Sequence, residues 1–287
     1  MKIVNILGGL GNQMFQYAFA VVLRNRFPQE EILIDTHHFN YYPWHNGYEI
    51  DSIFSNADLP IATPLQILKL SWYIPHYKLS RVVRRVLPNR KTEYIQKTPY
   101  EYDSEVYNNE RNLYYEGYWQ HFKYFEGMES KLKKIFSFGT PNDKNHRCGL
   151  ELSKNDSVGI HVRRGDYVGN KGFGGICTEK YYLHAINSLS IKDNTVVYVF
   201  SNDISWCKEH IEPMLSNDIV YVDWNRGKNS YWDMYLMTKC RKLILANSSF
   251  SWWGAYLNDS VEQVIAPKKW RNMIDNVQIQ MPQWYLI

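Results

Sequence analysis

Apolar positions along this chain switch between two periods. Near the N-terminus, Ile3-Val4-Asn5-Ile6-Leu7 is a short apolar run ended by glycines, as expected of a buried strand. After the turn Gly8-Gly9-Leu10-Gly11-Asn12-Gln13, residues Met14, Phe15, Ala18, Phe19, Val22 and Leu23 recur at helical spacing as far as Pro28. Glu31-Ile32-Leu33-Ile34-Asp35 then predicts a second strand. Strand, glycine turn, helix and strand open a Rossmann-like unit. Met14 stands where the dinucleotide fingerprint needs its third glycine, which weighs against a dinucleotide-dependent oxidoreductase.

The second half is more regular. Strands are predicted at 157–162, 195–200, 218–222, 242–246 and 264–266, with helices at 178–190, 204–215, 231–240 and 247–257 between them. Strands alternating with helices predict a parallel sheet covered on both faces. Three strand ends carry polar clusters: His161 to Asp166, Ser201 to Asp203 with Asn202 at its centre, and Asn247 to Ser249. A parallel sheet lines such ends along one edge, where ligands bind. The polar stretch 137–157 separates the halves, and the expected domains are 1–148 and 149–287.

The segment from 36 to 91 shows no clear period. Within it, Lys78, Arg81, Arg84 and Arg85 interleave with Leu79, Val82, Val83, Val86 and Leu87, which fits either a solvated helix face or a helix lying on an anionic membrane. The solvated face is the reading adopted. Around Leu113-Tyr114-Tyr115-Glu116-Gly117-Tyr118-Trp119-Gln120 the density of aromatic residues suits a packed core or a sugar-stacking platform.

The strand end His161-Val162-Arg163-Arg164-Gly165-Asp166-Tyr167 is the chemical centre. Cations at a buried strand end need anions opposite, and a diphosphate would supply them. Strand alternation puts His161 and Arg163 on one side and Arg164 on the other. Arg163 is therefore assigned to the ligand and Arg164 to bracing the loop, with Asp166 as its expected partner. The competing reading pairs both arginines with carboxylates of the chain itself. Ser248 and Ser249 open a helix and suit a phosphate or a plain cap. Asp233, near a helix start, could accept two N–H bonds from guanine. Asn12 fits either a helix cap or an active-site role.

Charge and composition narrow the partners. A net charge of +4 suits an anionic ligand and is too small to argue for nucleic acid. The cysteines Cys148, Cys177, Cys207 and Cys240 are scattered, which points to reduced thiols and a cytoplasmic protein. No signal peptide or membrane span is read from the chain, no metal-ligand spacing is evident, and no Asp-x-Asp pair occurs. Arginine and helix dipoles would then have to stabilise a departing diphosphate.

Three motifs in order, Gly8-Gly9-Leu10-Gly11-Asn12-Gln13-Met14-Phe15-Gln16-Tyr17-Ala18, His161-Val162-Arg163-Arg164-Gly165-Asp166-Tyr167 and Ser248-Ser249-Phe250-Ser251-Trp252-Trp253-Gly254, resemble the α-1,2-fucosyltransferases of glycosyltransferase family 11. The resemblance spans nearly the whole chain. It implies an α/β, GT-B-like fold of two Rossmann-like domains across a cleft, the first on the acceptor side and the second binding GDP-fucose. It further implies inverting transfer to the 2-hydroxyl of a terminal β-galactoside, with no required metal or cofactor. The basic segment 78–91, and not the resemblance, keeps peripheral membrane contact as a further expectation. Arg163 would hold the diphosphate, His161 and Asp233 would lie near the guanine, and Ser248 and Ser249 near the phosphates. Gly11 and Gln13 would close over the donor, with Asn202 beside it and Asn12 at the reacting centre. Asp166 is the expected general base and Asp35 the second candidate. A transferase of other regiospecificity, or a non-catalytic glycan or nucleotide-sugar binder, are the alternatives.

Overall fold

The computed structural model describes residues 1–42, 44–274 and 277–287. It divides into two compact units, Met1–Ser137 and Phe138–Ile287. The boundary expected at 148/149 falls inside the helix Asp143–Lys154. That helix packs on the helix Tyr231–Met237 and so belongs wholly to the second unit.

In the first unit the strands β1 (Lys2–Asn5), β2 (Ile32–Asp35), β3 (Glu93–Ile95) and β4 (Leu113–Glu116) form a parallel sheet in the order β2-β1-β4-β3. The helix Leu10–Arg26 follows β1 and is buried on nearly every side from Leu10 to Leu23. Arg24 and Arg26 sit in its last turn, where the helix dipole favours cations. Phe19 stacks on Trp119 at 4.2 Å and meets Tyr115 and Tyr124 edge-on. Tyr115, Trp119 and Tyr124 are buried, so the aromatic segment is core rather than a sugar platform. Even Lys2 is fully buried, its ammonium held by the Asn109 and Arg111 carbonyls and by Glu30.

The basic segment also departs from expectation. Its helix is short, Tyr77–Val83. Leu79, Val82 and Val86 face solvent, whereas Arg84 turns inward to Glu93 (2.9 Å) and Glu116 (3.0 Å). The Glu93 side chain is fully buried, and a buried carboxylate requires a cation.

In the second unit β5 (Ser157–Val162), β6 (Val196–Ser201), β7 (Ile219–Val222), β8 (Lys242–Ile244), β9 (Gln263–Ala266) and β10 (Tyr285–Leu286) are all parallel, in the order β10-β9-β8-β5-β6-β7. Counted within the unit this is the doubly wound order, and its direction reverses between β5 and β8. Val158, Ile160 and Val162 pack with Tyr182, Ala185 and Cys207 on one face. The alternate residues Ser157, Gly159 and His161 point to the other. A Cβ at Gly159 would lie 2.8 Å from both Cys240 Sγ and Leu243 Cδ2, so glycine allows the close approach there. All four cysteines are free thiols.

Candidate functional site

The switch point of the second sheet gathers most of the expected residues. Beyond β5 the chain runs through Arg163, Arg164 and the short turn Gly165–Tyr167. Beyond β8 it runs through Asn247 into the helix Ser249–Tyr256. His161, Arg163, Asp166, Asn202, Ser248 and Ser249 all belong to this edge. Gly11, Asn12 and Gln13 lie in the first turn of the helix after β1, at the corresponding edge of the first sheet.

The two arginines take different partners from those expected. Arg163 Nη2 contacts Asp166 Oδ1 at 2.7 Å. Arg164 Nε instead donates to Asp203 Oδ2 at 3.2 Å, and its guanidinium lies 4.3 Å over the Trp206 ring. The brace for Arg164 is therefore Asp203, and Asp166 belongs to Arg163. Opposite strand faces cause this, because Arg164 faces the helix Ile204–His210 and Arg163 does not. Both arginines do pair with the chain's own carboxylates. Each pair is a single contact, and both are substantially exposed, with Asp166 54% accessible. Exposed pairs contribute only about 0–1 kcal/mol. A doubly charged group can displace Asp166 at little cost.

Asn202 positions this turn. Its Oδ1 accepts from the Arg164 N–H at 3.0 Å. Gly165 has φ +28°, and a Cβ there would lie 2.1 Å from Asn202 Nδ2, so only glycine fits against it. Asn202 thus acts on the loop rather than standing free toward a ligand.

His161 is 6% exposed, and its Nδ1 is buried without a hydrogen-bond partner. Burial, and then the Arg163 charge, lower its pKa to about 3, so the ring is neutral. Phe250, in the first turn of the helix after β8, lies 6.0 Å from it. Ser248 is the cap of that helix, its hydroxyl accepting from the Phe250 N–H at 3.4 Å. Asp233 accepts from Asn225 Nδ2 at 2.9 Å. Burial raises its pKa to about 7, against the opposing effect of that hydrogen bond. Its helix packs against the one that Ser248 caps.

The sequence marks Asn247 as part of a polar strand end but not what its side chain holds. Its Nδ2 donates to the Phe173 and Trp270 carbonyls, while its own carbonyl accepts from the Tyr167 hydroxyl. It ties the glycine-rich loop to the strand end, and its place three residues beyond β8 was the available signal. Asn145 and Asn225, which exchange hydrogen bonds behind Asp233, gave no local signal at all.

In the first unit the cap of the helix 10–26 is Gly9, not Asn12. Asn12 Oδ1 accepts from Gln120 Nε2 at 2.6 Å. Gly11 is buried. Gln13 is fully buried, donates to the Gly8 and Gly47 carbonyls and accepts from the Glu49 N–H. All three of these bonds go to backbone groups, so the side chain ties the glycine turn to the segment at Gly47 and Glu49. Asp35 is likewise fully buried and takes bonds from Tyr114 Oη (2.7 Å), His37 Nδ1 (2.5 Å) and the His37 N–H (3.0 Å). Both of its oxygens are taken by groups of the chain itself. Among the described residues no three His, Cys, Asp or Glu side chains cluster as a metal site, and no helix is long and apolar enough to cross a membrane.

A family model described as Glycosyl transferase family 11 matches residues 1–287. The chain belongs to that family. It is 33% identical to an alpha-1,2-colitosyltransferase of Escherichia coli, over 93% of this chain and 91% of that protein. The O-antigen biosynthesis glycosyltransferase WbnK of Escherichia coli is 29% identical, with 96% and 97% covered. Galactoside alpha-(1,2)-fucosyltransferase 2 of Hylobates lar is 26% identical, with 90% and 69% covered. Among solved structures, NodZ alpha-1,6-fucosyltransferase soaked with GDP-fucose aligns with a TM-score of 0.52 at 16% identity, over 93% of this chain and 94% of that one. That likeness is one of fold. It agrees with an α/β, GT-B-like architecture, and family 11 membership makes the protein a glycosyltransferase.

Proposed function

We propose that the protein transfers L-fucose from GDP-fucose to the 2-hydroxyl of a terminal galactose, with inversion at the anomeric carbon. The observation that carries this reading is the cationic switch point between β5 and β8, where Arg163 follows one strand and a helix opens after the other. Supporting it, both the colitosyltransferase and the fucosyltransferase among the relatives bear α-1,2 specificity in their names.

In this scheme the acceptor oxygen bonds to the anomeric carbon while the bond from that carbon to the diphosphate oxygen breaks. The bonding electrons leave with GDP. Arg163 releases Asp166 and takes the diphosphate, and the N–H groups at Ser248 and Ser249 share the growing charge. Asp166, freed from its partner, accepts the proton of the acceptor hydroxyl. His161, neutral, and Asp233 serve the guanine, the latter as a carboxylate accepting two N–H bonds. Asn12 is kept for the acceptor side. The scheme calls on no metal ion, since a guanidinium and backbone dipoles carry the leaving-group charge.

The 33% identity to a colitosyltransferase favours one second reading, in which the donor sugar is colitose. Colitose lacks a hydroxyl that fucose carries, and a site built to bond that hydroxyl discriminates strongly between the two. The test is incubation with the GDP esters of fucose and of colitose, each with a β-galactoside, followed by linkage analysis. An α-1,2-fucosylated galactose is the expected product. Transfer of colitose alone moves the donor assignment, and release of free sugar with no linked product from either donor removes the reading.

A further inference from the structure

The first unit carries an open pocket of about 300 Å³ at the C-terminal edge of its sheet, where β1 and β4 lie side by side. That volume is at the lower end of small-ligand sites. Two polar atoms in its wall lack partners. Asn5 Oδ1 and His38 Nδ1 are both buried with no hydrogen bond, on residues only 6% and 8% exposed. Leaving a buried polar atom unpaired costs about 1–3 kcal/mol, which a ligand donor would recover. Both atoms are acceptors. Burial, then the neighbouring His37, keep the His38 ring neutral, and a backbone hydrogen bond at Pro75 occupies its other nitrogen. Two unpaired acceptors on residues that line one pocket suit two hydroxyl donors, as on a sugar ring.

The charges in the wall select further. Three arginines, Arg81, Arg84 and Arg85, face the single carboxylate of Glu116. Arg84 is already held by Glu93 and Glu116. Arg81 and Arg85 make no ion pair among the described residues and remain exposed. A neutral sugar has no use for these two cations. An anionic substituent on the same glycan does.

We propose that this cavity binds the acceptor and that the acceptor is an acidic glycan, one sugar donating hydroxyls to Asn5 and His38 while a phosphate or carboxylate on it pairs with Arg81 and Arg85. The inference rests on the transferase reading above and deepens it on the acceptor side. Direct binding separates the two. Calorimetry on the whole chain compares galactose 1-phosphate, galacturonic acid, galactose and inorganic phosphate. The expected order places an acidic sugar above both galactose and inorganic phosphate, and the stronger of the two acidic sugars identifies the anion. The double variant R81A/R85A, on exposed positions that spare the fold, weakens the acidic sugar about tenfold and abolishes its advantage over galactose. Asn5→Leu weakens charged and neutral sugars alike. Binding of galactose as tight as either acidic sugar, or of inorganic phosphate as tight as both, overturns the proposal. So does an R81A/R85A variant that loses binding to phosphatidylglycerol vesicles while keeping its grip on the acidic sugar, for the cations would then serve a membrane. Absence of transfer in the wild type, with acidic-sugar binding intact, would count against the reaction and leave the cavity assignment standing.

Discussion

The two units treat polar groups at the matching sheet edge in opposite ways. In the first, Gln13 and Asp35 are fully buried, and each is satisfied by bonds from its own surroundings. In the second, Arg163 and Arg164 are partly exposed, and each holds one carboxylate by one contact. Saturated buried groups hold a loop in one shape, because any rearrangement strands them. Singly held exposed charges can change partners at low cost. The same glycine-rich strand-to-helix geometry can therefore serve as scaffold in one unit and as ligand grip in the other.

The sharpest way to break this contrast is Arg163→Ala. Transfer is expected to fall about 10²–10³-fold, as for loss of one contact to a developing anion, while the melting temperature moves by less than roughly 2 °C. Unchanged turnover would dissolve the grip half of the comparison. Gln13→Ala probes the scaffold half. Three stranded backbone groups should cost about 3 kcal/mol, seen as a loss of roughly 5–10 °C in thermal unfolding. A variant as stable as the wild type would mean that Gln13 is not a scaffold residue.

A smaller effect concerns Asp233. With a pKa raised to about 7, it is mostly protonated at pH 6 and mostly ionised at pH 8. GDP affinity measured by calorimetry is expected to rise about tenfold between those values, and Asp233→Asn should abolish the rise. The stability term has the opposite sign. The folded chain holds this proton from about pH 4 to pH 7 where the unfolded chain does not, so this contribution is complete below the unfolded pKa and is lost as pH rises through 7. A flat GDP profile would detach Asp233 from the guanine. Smallest of all is Arg164→Met, which keeps the stem over Trp206 and leaves Asp203 to cap the helix Ile204–His210; it is expected to cost under about 1 kcal/mol in urea unfolding. A larger loss would show that the Arg164 brace is structural in the same sense as Gln13.

Much of this was legible in the chain before any coordinates. The alternation of strands and helices after residue 157, the polar clusters at three strand ends and the glycine turn before Asn12 are all local patterns, and local patterns survive in one dimension. Other features were not local. The partner of Arg164 sits 39 residues away on another strand end, whereas Asp166 is adjacent in sequence, so reading the neighbour misassigned the brace. The resemblance gave Gln13 a place over the donor, and nothing local in the sequence showed that its bonds reach Gly47 and Glu49 across the fold. The boundary between the units moved for the same reason, since the helix 143–154 shows which unit it joins only by what it packs on.

Hydrophobic periodicity and the three motifs were enough to point to the family and to the parallel sheets. Those depend on spacing along the chain. Which arginine meets which carboxylate, which glutamine is saturated and which buried oxygen is left unpaired depend on distances between residues remote in sequence. Such distances exist only once the strands have paired and the helices have closed over them.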